Sequence, residues 1–239
     1  NGIAAMSASG QYGPTRIAAG IVGRADLALG DAVSEILETH IAAGCGRFRG
    51  IRHAASWDKH DDIRNAHTDP PQGLLGDAKF RQGFARLAPL NLSFEGWFYH
   101  TQISELTDLA RAFPDTPIIL NHFGGPLGIG PYAGKREEIM VQWRKDIAEL
   151  ATCENVVAKL GGINMKVNGF GWHDMEAPPS SEVLAKATRP YYDHCIEHFG
   201  PDRCLFESNF PVDKVSCSYT VLWNAFKRIA KDYSADEKA

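Results

Sequence analysis

What most constrains this chain is a set of short apolar runs that stop abruptly. Leu205-Phe206 leads into Glu207-Ser208-Asn209 and then Phe210-Pro211. A proline lacks the N–H that would continue a strand ladder. Ile118-Ile119-Leu120 ends the same way, in Asn121-His122-Phe123 followed by Gly124-Gly125-Pro126. Polar groups crowded at the carboxyl end of a buried strand mark the place where α/β barrels keep their chemistry.

Runs of this kind alternate with segments of helical period. The apolar pattern predicts strands near 17–22, 48–53, 92–99, 117–121, 155–160 and 204–208. Between and after them it predicts helices over 32–43, 77–87, 103–113, 135–151, 181–199 and 221–230, with a kink or restart at Pro190. Such alternation implies parallel strands and right-handed crossovers. A chain of 239 residues is long enough for one barrel of this class, which takes about 250. The expected organisation is therefore a single α/β domain over 1–239. Asn1 to Met6 reads as the middle of a helix and Ser234 to Ala239 as a cap and first turn, so the chain is expected to be a fragment.

The strand ends supply the candidate site. His122 closes its strand, and by strand alternation it faces the same way as Leu120 and Ile118. Glu207 and Asn209 share a face at the end of the last strand, with Glu207 one pleat deeper. Arg52 and His53 are candidate substrate-binding residues. Alternation admits only one of them to the lumen, and Arg52 is assigned there as a bidentate clamp for a carboxylate. The bland alternative is an Arg52 salt bridge to Glu207 or Asp213. Trp97 and Tyr99 share a face and offer an aromatic wall, with His100 at the start of the loop beyond. Lys159, in an otherwise apolar strand, is placed to bind an anion or to neutralise Glu207. Trp57 to Gly76 is a long polar loop, of the kind that is functional or mobile.

Three segments, Phe48 to His53, Trp97 to His100 and Asn121 to Pro126, together with the Ser208-Asn209-Phe210-Pro211 stretch, resemble the amidohydrolase-related TIM-barrel hydrolases. The resemblance runs from about Arg16 to Asn224. It implies a (β/α)8-type barrel lacking its first strands in this chain. It implies a hydrolase acting on a small carboxylated lactone or related ester or amide, with water attacking a carbonyl. The alternatives are a non-oxidative decarboxylase on the same barrel and a non-catalytic ligand-binding barrel. It also implies a divalent metal such as zinc, with His122 as a ligand. The family's His-x-His metal pair does not occur in this sequence, and Asn209 stands where most of the family has aspartate. An amide accepts no proton at neutral pH, so Glu207 is the expected general base, and Asn209→Asp is expected to keep or raise activity.

Composition excludes other classes. The net charge of -4, without a basic patch, points away from nucleic acid and from a membrane surface. No apolar stretch reaches the ~18 residues of a spanning helix. Five cysteines without a C-x-x-C pair read as reduced packing thiols in a cytoplasmic protein. The expected partners are a small-molecule substrate and further copies of the chain, since the 17–22 strand would present an open edge.

Two patterns are read as decoys. His194-Cys195-Ile196-Glu197-His198 matches the inverted zinc-protease order, but its helix feeds the Cys204 strand as an outer barrel helix would. It shows no third ligand and reads as two surface or capping histidines. Gly130 to Lys135 is one residue short of a phosphate loop. No G-x-S-x-G elbow surrounds Ser208.

Overall fold

The structure, a computed structural model, describes residues 1–238. Six parallel strands form one curled sheet in chain order: β1 (Ile21–Gly23), β2 (Phe48–Ala54), β3 (Ser93–Trp97), β4 (Ile118–Leu120), β5 (Val156–Leu160) and β6 (Cys204–Phe206). Every neighbouring pair is parallel. Helices α2 (Val33–Gly44), α3 (Ala78–Phe84), α4 (Ile103–Ala112), α5 (Arg136–Ala151) and α6 (Ser181–Phe199) connect successive strands, and α7 (Tyr219–Ile229) follows β6. A short α1 (Gly2–Ala8) precedes β1. The architecture is an incomplete α/β barrel with β1 and β6 as its two edges.

The caps are local and follow from the sequence. Asp77 accepts the Phe80 N–H at 2.8 Å to start α3, and Ser180 and Ser218 accept the N–H groups three residues on to start α6 and α7. The helix expected to kink or restart at Pro190 runs uninterrupted from Ser181 to Phe199. Burial of Leu184, Tyr191, Tyr192, Cys195 and Phe199 along one face offsets the helical hydrogen bond that the proline cannot make. The first strand is shorter than expected, because Ala18 adopts a left-handed conformation (φ 54) that interrupts the extended chain before Ile21.

Alternation divides the sheet into two unlike faces. Ile51, Phe94, Ile118, Leu120 and Val156 point to the helices and have no exposed surface. They meet the apolar stripes of the helices, including Trp143 and Ile147 of α5 and Leu106 and Leu109 of α4. The opposite, concave face carries Arg52, Glu95, Lys159 and Leu205, of which Leu205 is 40% exposed. All five cysteines are free; Cys153, Cys195 and Cys217 are buried, and burial pushes the Cys195 thiol far up and the Cys217 thiol to about 11. They pack rather than react. No helix among the described residues is long and apolar enough to cross a membrane.

Candidate active site

Arg52 and Glu95 face each other directly across β2 and β3. Two guanidinium nitrogens of Arg52 donate to Glu95 Oε2, Nε at 3.0 Å and Nη2 at 2.5 Å. Lys159 of β5 donates to the other oxygen at 2.9 Å, and Asn121 Nδ2 lies 3.4 Å from Oε2. Burial alone would raise the Glu95 carboxyl, but the Lys159 and Arg52 hydrogen bonds overcome it and hold the group below its ordinary range. The ion-pair partner of both cations is therefore Glu95, not the Glu207 or Asp213 named in the salt-bridge alternatives for Arg52 and Lys159. With two cations on one anion the cluster carries one net positive charge. Beside it lies a cleft of about 550 Å³ whose walls include Arg24, Arg52 and Glu95.

Above this layer the strand ends converge. His122 does not follow the alternation of β4. Its φ of 52, and that of 58 at Phe123, turn the chain out of the strand. The ring thereby comes to lie against the Trp97 indole, centroids 4.9 Å apart, instead of pointing towards the helices with Leu120. Its Nδ1 lies 3.3 Å from the Gly161 carbonyl oxygen and 2.5 Å from Glu207 Oε1. The Glu207 contact is close but poorly aligned, so Oε1 is a buried acceptor without a satisfying hydrogen bond. The glycine pair after β5 permits this approach. A Cβ on Gly161 would lie 2.1 Å from the Glu207 carbonyl oxygen, and one on Gly162 would lie 2.3 Å from His122 Nδ1.

Asn209 also has a left-handed backbone, φ 52. Residues held in this region cluster where function constrains the chain. Its Nδ2 donates to Asp213 Oδ1 at 2.8 Å. Asp213 has no exposed surface, and its Oδ2 is buried without a partner. Burial pushes its carboxyl up to about 6, against the pull of the Asn209 hydrogen bond and of His122.

Other sequence candidates fall elsewhere. His53 lies on the helix-facing side, where its Nδ1 accepts the Leu27 N–H at 3.3 Å and its ring edges onto Phe80. It is excluded from the lumen by the alternation that admits Arg52. Tyr99 is buried behind Trp97 and donates its hydroxyl to the Arg64 carbonyl at 2.5 Å. His100 is buried, accepts the Leu127 N–H at 3.3 Å and is pushed down to about 4 by burial. Both knit loops together and do not line the lumen; Trp97 alone of the three touches the strand-end group. The loop after β2 is anchored. Buried Asp58 accepts from the His60 N–H at 2.9 Å, from His60 Nδ1 at 2.8 Å and from the Tyr132 hydroxyl at 2.6 Å.

The residues that sequence reasoning missed are Glu95 and, as a site carboxylate, Asp213. Glu95 had a signal: it is the one charge in the apolar strand before Trp97, two residues away and so on the same face. Asp213 lies four residues beyond Asn209 in an irregular turn, where no periodicity reports its direction.

The strand ends do not supply a metal site from these residues alone. Among the described residues, three His, Cys, Asp or Glu donors come together only at His194, Glu197 and His198, outside the sheet. His122 has the Glu207 carboxylate beside it but no third donor.

The chain spans 65% of an uncharacterised Sinorhizobium fredii protein, y4mH, to which it is 36% identical over 221 residues, 92% of its own length. It is 24% identical over 194 residues to the L-fucono-1,5-lactonase of Burkholderia multivorans, covering 81% of this chain and 59% of that enzyme. A solved amidohydrolase from Burkholderia multivorans, holding zinc, superposes with a TM-score of 0.71 at 24% identity, over 93% of this chain and 69% of that one. Its fold is the complete form of the barrel seen here in part. Residues 15–239 match the family model described as amidohydrolase, and with the parallel barrel and the relatedness to y4mH this establishes that the chain belongs to the amidohydrolase family.

Proposed function

We propose that this chain carries the acid–base side of a hydrolase that opens a small carboxylated lactone, or a related ester or amide, by attack of water on its carbonyl. One observation carries the reading: a partly accessible Glu207 carboxylate abuts His122 at the strand ends, directly above a lumen cluster with net positive charge. In this scheme Glu207 takes the proton of the attacking water and returns it to the alkoxide oxygen released as the ring C–O bond breaks. His122 turns its Nδ1 to the Gly161 carbonyl oxygen and packs its ring beside the Glu207 carboxylate. Asn209, its Nδ2 committed to Asp213, presents Oδ1 as an acceptor that positions the water. Arg52, with 41% of its side chain exposed, receives the substrate carboxylate and stabilises charge developing on the carbonyl oxygen. No step is assigned to a metal. The lactonase activity named for the Burkholderia multivorans relative supports a lactone as substrate, and the carboxylate on it is argued from Arg52.

The test is hydrolysis of a panel of L-fucono-1,5-lactone and carboxylated five- and six-membered lactones by the full-length protein, followed by acid release. Turnover of a carboxylated lactone, with KM raised in Arg52→Ala, is the expected result. Tight binding of these lactones without acid release would overturn hydrolysis and favour a binding barrel, the reading that Asn209 in place of aspartate supports.

A further inference from the structure

The first chemistry-bearing cluster outside the strand ends lies on the outer face of α6. His194, Glu197 and His198 follow one another at i, i+3 and i+4, the spacing that stacks three side chains over one helical turn. Their donor atoms all lie within 4.8 Å of one another. The two imidazole rings are 4.3 Å apart, centroid to centroid. The third ligand that the motif lacked on paper is thus inside the motif.

Two features make this more than a chance pair of surface histidines. His194 Nε2 lies 2.9 Å from the Arg144 carbonyl oxygen of α5. A carbonyl only accepts, so Nε2 carries the proton and Nδ1 keeps its lone pair. A backbone carbonyl that fixes the tautomer through the distal nitrogen is the usual support of a metal-binding histidine. The Trp143 ring packs on the same imidazole at 5.4 Å and restricts its rotation. Glu197, in turn, is exposed and has no ion-pair partner among the described residues. The opposite face of the helix, Cys195, Ile196 and Phe199, is buried in the core, so the backbone beneath the cluster is fixed.

We infer that His194, Glu197 and His198 form a binding site for a borderline divalent transition ion, zinc in the first instance. Two imidazoles and one carboxylate suit that class and not calcium or magnesium, which prefer all-oxygen shells. Tetrahedral bonds of ~2.1 Å need donors about 3.4 Å apart, a closure that the exposed His198 and Glu197 side chains can supply by rotation. Three donors from one helix turn leave at least one coordination position to water. The site is separate from the strand ends and makes no use of the hydrolytic reading.

Calorimetric titration of chelator-stripped, tag-free full-length protein with zinc tests it, alongside His198→Ala, Glu197→Gln and His122→Ala. Loss of a direct ligand should weaken the site by roughly 10-fold or more, since even outer partners cost that much. The expected result is that His198→Ala binds one zinc fewer than the parent, Glu197→Gln weakens that same equivalent, and His122→Ala keeps it. Imidazole NMR should show the His194 and His198 resonances moving together on addition of zinc, and calcium should leave them in place. Unchanged zinc stoichiometry and affinity in a folded His198→Ala protein would overturn the proposal, as would imidazole resonances that do not respond to zinc.

Discussion

Two carboxylates on the concave side of one sheet have opposite surroundings. Glu95 is saturated: Arg52 grips one oxygen twice, Lys159 takes the other, and only 8% of the side chain is exposed. Glu207, at 19%, has a close histidine but a buried oxygen without an aligned donor. A carboxylate with all its partners is a structural tie that also sets the charge of the lumen. A carboxylate left short of partners keeps an oxygen for a further donor. The same residue type therefore does two jobs, separated by what the neighbouring strands place opposite it.

Breaking the saturated member should cost the most stability. Removing one partner of a buried ion pair costs roughly 3–5 kcal/mol, and the exposure of Arg52 places Glu95→Ala at the lower end of that range. Denaturant unfolding of the variant should show this loss, and the double variant Glu95→Ala/Lys159→Met should recover part of it.

Asp213 sharpens the contrast through pH. Its folded-state pKa of about 6 lies above the ordinary value of 3.8, so the folded chain holds this proton more tightly than the unfolded one. Through this group stability is greatest below pH ~4 and falls as pH rises to about 6, by roughly 2–3 kcal/mol. Glu95 acts in the opposite sense, because its depressed pKa makes its contribution present at neutral pH and lost in acid. Buried His100, pushed down to about 4, acts against Asp213 in the same window, so the slope of Asp213 is read from the difference: between pH 4 and 6 the stability of Asp213→Asn minus that of the parent should rise with pH.

Asn209→Asp comes next. Sequence alone favoured this change, yet the structure puts Asp213 2.8 Å from the amide nitrogen. A second carboxylate there loses a donor and gains a like charge, at a cost of about 1–2 kcal/mol. Melting should fall more at pH 8 than at pH 5, and the exchanged pair Asn209→Asp/Asp213→Asn should restore it.

The architecture was legible because it rests on period. Alternating strands and amphipathic helices such as Ile139-Trp143-Ile147-Leu150 state their faces directly, and all six strands form near their expected positions. Alternation limited the lumen to one of Arg52 and His53, and the choice of Arg52 came from the chemistry of a carboxylate clamp. The rest depended on departures from period. His122 reaches Glu207 through a left-handed turn that strand alternation cannot foresee, and Asp213 meets Asn209 across an irregular bend. Pairing across strands was equally hidden: that Arg52 faces Glu95 is a matter of register between β2 and β3, which one sequence does not fix.

The smallest stability change is expected at Glu207, and there the account is tested most directly. Melting temperature and lactone turnover of Glu207→Gln in the full-length protein should be measured side by side with the parent. The side chain gives up no aligned hydrogen bond, so stability should change by less than ~1 kcal/mol, whereas turnover should fall by roughly 10²-fold or more, the usual worth of a general base. A destabilised Glu207→Gln protein with full turnover would contradict it, and would make Glu207 a structural carboxylate like Glu95.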